Sequence, residues 1–189
     1  MTRFLLIFCL LLTGCVTSQT ITLPVPPKWV DPGFRTLTSA EVRATLSVTQ
    51  PAAIVDTSDG TFTVVDHEWL VAMVKWSDAF LRATGHTYTA ESFDCDKFAK
   101  AFTLGVEWVA GDAGVKAQPL VARIYVVQER TFANIVGAAN TAHALVGFRS
   151  NRGIFVLEPQ GGTNGTPVFL RLAPLSEYPN RIVRVKLGG

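Results

Sequence analysis

Apolar residues change their period partway along this chain. Up to about residue 111 they recur at three- and four-residue steps, the spacing of helix faces. Beyond Pro119 they come as short β-branched runs. Trp69, Ala72, Met73, Trp76 and Phe80 mark one helix face, with Asp66 as N-cap and Gly85 as stop; the two tryptophans read as core. Phe98, Phe102, Val106 and Val109 mark a second, opening near Asp94 and ending at Gly111. Thr38 and Glu41 have the spacing of a capping box and predict a short helix to about Leu46. The stretches 120–128, 142–148, 153–157, 168–172 and 182–186 read as strands. Two earlier runs, 52–55 and 61–65, flank Ser58-Asp59-Gly60 and predict a hairpin. Helices followed by a mostly antiparallel sheet define an α+β domain.

The 189 residues suit one domain, and 48% hydrophobic against 17% charged residues is enough to bury a core. A net charge of +2 gives no electrostatic case for nucleic acid. The charge is nevertheless polarised. Residues 15–118 hold 8 Lys+Arg against 12 Asp+Glu, and residues 119–189 hold 8 against 3. This reads as a solvated basic face on the sheet half.

Arg3 and the apolar run from Phe4 to Leu12 have the form of an export signal, too short to span a bilayer. The following Leu12-Thr13-Gly14-Cys15 resembles the lipobox of bacterial lipoproteins, which implies cleavage before Cys15 and lipidation of its thiol. Val16, in place of the Asp that retains such proteins at the inner membrane, implies the outer membrane. The expected organisation is a signal peptide over 1–14, a lipidated Cys15 with a Pro- and Thr-rich tether over 15–34, and an α+β domain over 35–189. Cys95 is then the sole free thiol of the mature chain.

Cys95 falls in the first turn of the second predicted helix, where unpaired N–H groups and the helix dipole stabilise a thiolate. Asp94 and Asp96 oppose that, so an imidazolium or a bound cation is needed beside them. His143, unlike His67 and His86, lies on a predicted strand, and Glu158 ends the next one. A two-residue turn at Ser150-Asn151 would set His143 opposite Glu158, which could fix the ring's tautomer. The order Cys95, His143, Glu158 fits a papain-like triad.

Asp94-Cys95-Asp96-Lys97-Phe98, His143 on a strand, and the stretch from Phe155 through Glu158-Pro159-Gln160 to Gly162 together resemble the papain-like C-terminal protease domain of the Marasmius oreades agglutinin and of lectin-related bacterial proteins. More loosely, they are similar to bacterial transglutaminase-like cysteine proteases. The resemblance implies a papain-like fold and catalytic roles for Cys95, His143 and Glu158. It also implies dependence on calcium or manganese, with Asp96 as the best candidate ligand and Asp94 and Gln160 lining the cleft. Thr89 stands where such enzymes often carry an oxyanion-hole Gln; Tyr88, Ser92 and the Cys95 backbone N–H are the donors nearby.

The expected function is therefore a lipid-anchored cysteine hydrolase, a peptidase acting on peptide or protein at the outer membrane. The alternative is a catalytically weak or inactive binding or exclusion lipoprotein of the cell envelope on the same fold. Acyl transfer at the same triad is a third reading.

Overall fold

A computed structural model describes residues 22–49, 52–57, 60–86, 95–129, 141–159 and 171–187. In chain order the elements are β1 (Leu37–Thr38), α1 (Ser39–Thr49), β2 (Ile54–Thr57), β3 (Thr61–Thr63), α2 (His67–Ala83), α3 (Cys95–Asp112), β4 (Gln118–Pro119), β5 (Val121–Gln128), β6 (Thr141–Ser150), β7 (Gly153–Glu158), β8 (Arg171–Pro174), a 3₁₀ turn (Leu175–Glu177) and β9 (Arg181–Leu187). The large sheet runs β2-β9-β5-β6-β7-β8, antiparallel except for the β2–β9 pair. A small sheet, β1-β3-β4, lies beside it. Val65 and the Arg149–Asn151 turn exchange backbone hydrogen bonds at 3.1 Å and tie the two sheets together. This is an α+β arrangement. No helix among the described residues is long and apolar enough to cross a membrane.

The helices begin where their caps dictate. Thr38 N–H donates to Glu41 Oε2 at 2.8 Å and Glu41 N–H to Thr38 Oγ1 at 3.3 Å, a capping box that starts α1. Together with Arg35, these contacts hold the Glu41 carboxyl down near pKa 2, the Thr38 backbone N–H contributing most. Asp66 Oδ1 accepts from Trp69 N–H at 2.8 Å and caps α2. Its Oδ2 accepts from Asn151 Nδ2 at 3.0 Å, while Asn151 Oδ1 accepts from His67 N–H at 2.9 Å. The cap thus also docks the β6–β7 turn onto α2. Asp66→Ala should lower stability by about 1–2 kcal/mol, the upper range for a cap, because both links go at once. A urea melt of the variant checks this, and a loss under about 0.3 kcal/mol would show the cap to be idle.

Each face of the large sheet has its own core. On one, Trp69, Leu70, Met73 and Val74 of α2 and Ala99, Phe102 and Val106 of α3 pack on Val121, Ala144, Val146 and Leu157. On the other, Val42 of α1 and Phe62 pack with Ile124, Leu145, Val156, Ile182 and Val185. Full burial of each large apolar side chain stabilises by about 1.5–3 kcal/mol, so these two clusters dominate the fold's favourable energy. Gly105 permits the close approach of α2 to α3: a Cβ there would meet the Trp76 ring at 3.2 Å.

Four expectations change. The runs near residues 54 and 61 form no hairpin, because β2 pairs with β9 and β3 with β1 and β4. The second long helix continues past Gly111 to Asp112, and Gly114, at φ 77°, takes the left-handed position after it. Only 171–172 of the expected strand at 168–172 lie within the described residues, where β8 begins at Arg171. Part of the expected tether is docked rather than free. Pro24 and Pro27 carbonyls accept from the indole N–H groups of Trp76 and Trp69 at 2.9 and 3.4 Å, and Trp29 packs edge-on against Trp69 at 4.6 Å.

Candidate functional site

Cys95 is the first residue of α3, half-buried against the α2–α3 core. His143 stands near the start of β6 with its side chain 10% exposed, and Glu158 ends β7 with 1% exposed. The structure brings all three together. His143 Nε2 lies 2.5 Å from Glu158 Oε2, and Cys95 is close enough to the ring to raise its pKa.

The route to that contact differs from the expected register. The β6–β7 turn is Asn151-Arg152, one residue later than anticipated, and Ser150 pairs with Gly153. Glu158 then falls opposite Leu145, two residues from His143. Two residues preserve the facing side in a strand, so the ring and carboxylate meet diagonally rather than directly across.

Burial acts most strongly on the ring and by itself pulls its pKa down. The interactions with Cys95 and with the Glu158 carboxylate outweigh it and push His143 up to about 10. At neutral pH the site therefore carries an imidazolium clamped by a carboxylate. Tyr178 lies close enough that burial first, and then the Glu158 charge against the Asn180 hydrogen bond, raise its phenol above the usual range.

Asp96 is engaged elsewhere. Its Oδ1 accepts from Tyr125 Oη at 2.7 Å and stands 4.0 Å from Arg123 Nη1. That network fastens the start of α3 to β5. Asp96 thus anchors the start of α3, and among the described residues no three His, Cys, Asp or Glu side chains gather as a metal site. Asp94, Gln160, Cys15, Tyr88, Thr89 and Ser92 lie outside the described residues. Sequence reading missed Tyr125, Arg123, Tyr178 and Asn180. Only Arg123 carried a visible signal, a charge in the middle of an apolar strand.

No known protein-family profile matches the chain. No curated protein matches it either. Solved structures do. One, described as a PSL1a–E64 complex, superposes with a TM-score of 0.56 at 21% identity over 79% of this chain and 50% of its own. Another is Polyporus squamosus lectin bound to the human-type influenza-binding epitope Neu5Aca2-6Galb1-4GlcNAc, with a TM-score of 0.56 at 21% identity over 79% of this chain and 49% of its own. The chain shares its fold with these fungal lectin structures and spans about half their length.

These comparisons correct the expected function. The matching structures are lectins, and the alternative of a binding protein on this fold accords with them better than a papain-like cysteine peptidase does. The physical reason is that a thiol, an imidazolium and a carboxylate in contact are equally a rigid polar anchor. Proximity alone does not supply turnover.

Proposed function

We propose that the protein is a saccharide-binding protein of a bacterial cell envelope, held at the outer membrane by lipid on Cys15, with its ligand seated where Cys95, His143 and Glu158 converge. The observation that carries this reading is the clamped imidazolium. Glu158 balances the ring's charge and fixes its direction, and the dipole and unpaired N–H groups at the start of the eighteen-residue α3 lie beside it. Such a site favours a carboxylate-bearing sugar over a neutral one. The ligand named for one lectin neighbour, which contains Neu5Ac, is of that class. Those words concern a chain of which this one spans about half, so they support the ligand class and no more.

The test is a glycan panel probed with the purified full chain. Acidic saccharides should bind more tightly than their neutral counterparts, and His143→Ala should weaken them at least tenfold. E64, the ligand named for the other neighbour, should compete for the same site. A chain that binds no saccharide, or whose binding ignores His143→Ala, would refute the reading.

A further inference from the structure

Leu23, Val25, Leu104 and Trp108 are 48%, 87%, 45% and 59% exposed, four of the seven large apolar side chains left open to solvent among the described residues. They belong to one face. Pro24, between Leu23 and Val25, accepts from the Trp76 indole N–H at 2.9 Å. The Trp76 ring lies against Gly105, where a Cβ would meet it at 3.2 Å. Leu104 is the neighbour of Gly105, and Trp108 follows Leu104 by one helical turn on the outer side of α3. Single exposed apolar residues are ordinary, but several gathered from two segments mark a surface that meets something apolar. Exposed Lys75, beside Trp76, and Lys100, one turn before Leu104, stand at its rim. Asp112, one turn after Trp108, is exposed at the far end, and Glu107 is engaged by Gln118 Nε2 at 3.0 Å.

We infer that this face rests on the lipid bilayer, with Leu23, Val25, Leu104 and Trp108 at the level of the headgroups. The inference rests on the lipid at Cys15 proposed above. Cys15 stands eight residues before Leu23, so the chain between them reaches at most about 29 Å. A domain of about 150 residues is roughly 40 Å across. The face that carries Leu23 therefore cannot be turned to the side away from the membrane. The bonds from Trp76 and Trp69 to the Pro24 and Pro27 carbonyls hold the tether on α2, so it adds no slack beyond those eight residues. Tryptophan suits the headgroup level, where an apolar ring with a polar N–H meets both phases. Lysines at the rim can lay their stems on the apolar surface and reach lipid phosphates. Cys95 lies thirteen residues before Trp108, roughly 20 Å along α3 at about 1.5 Å per residue, so the saccharide site lies off the docked face.

The experiment uses the full chain, expressed in a bacterium that lipidates such proteins and reconstituted into vesicles of phosphatidylethanolamine and phosphatidylglycerol. Vesicles with brominated acyl chains, set against unbrominated ones, quench tryptophans that sit among the lipids. Bromolipid should quench about a quarter of the emission, the share of one tryptophan in four. Trp108→Phe should reduce that quenching at least threefold, and Leu104→Glu, which puts a charge on the face, should at least halve it. Both positions are exposed, so neither change disturbs the core. Mass spectrometry of the same sample reads the lipid on Cys15. A chain without that lipid overturns the anchor, and this inference with it. A lipidated chain whose emission bromolipid leaves unchanged, or whose quenching either variant leaves unchanged, overturns the inference and spares the anchor. An unquenched lipidated chain that sediments as a dimer, and as a monomer with Trp108→Phe, overturns it in favour of a second copy on this face.

Discussion

Glu158→Gln is expected to drop the His143 pKa from about 10 toward neutrality and to cost about 3 kcal/mol of stability. The carboxylate is 1% exposed and its Oε2 lies 2.5 Å from the ring. Glutamine has nearly the same shape, so packing stays and only the charge goes. Burial, the strongest single influence on the ring, then acts against Cys95 alone. The native state must either hold an uncompensated imidazolium or release its proton, and both weaken it. An NMR titration of the ring alongside urea melts gives both quantities. A ring still titrating near 10, with stability unchanged within about 0.5 kcal/mol, would show that Glu158 is not what holds the charge.

Stability should fall as pH rises from about 7 to 9.5, with a slope approaching ~1.4 kcal/mol per pH unit. His143 has a higher pKa folded, about 10, than the 6.5 of a free imidazole. The folded state therefore binds a proton that the unfolded chain has lost. This contribution is complete below 6.5 and disappears as pH climbs through 10. Glu41 acts at the other end: its folded pKa of about 2 lies below the ordinary 4.5, so its contribution is present above 4.5 and is lost as pH falls through 2. Urea melts across this range, repeated on His143→Gln, separate the imidazole from other groups. The variant should show a nearly flat profile between 7 and 9.5. An equally steep slope without the ring would assign the dependence elsewhere.

What the sequence revealed and what it hid divide by distance along the chain. The starts of α1 and α2 were legible, because a capping box needs only Thr38 and Glu41 and an N-cap only Asp66. The helix faces were legible because Phe98, Phe102 and Val106 declare themselves at close spacing, and Val106 is fully buried as expected. The partner of Ile54 is Arg184, about 130 residues on, and nothing local announces it. The β6–β7 turn lies one residue later than expected, and the bonds Asn151 makes to Asp66 and His67 across the fold had no local signal either. His143 and Glu158 could still be paired from sequence, since that slip left both on one side of the sheet. The bond between Asp96 and Tyr125 was not legible, because Tyr125 stands 29 residues away on another element.

Strand β9 sits between β2 and β5, yet it follows every other described strand in the chain. A sheet in this order cannot be assembled as the polypeptide emerges. The β5–β8 meander can form early, but β2 has no neighbour in the large sheet until residues 181–187 arrive. Until then the core on the α1 side lacks Ile182, Val185 and Leu187 and stays open to water. Folding is therefore gated by synthesis of the β9 segment. Contacts so distant in sequence also close slowly, so closure of that wall is expected to be a late step in folding.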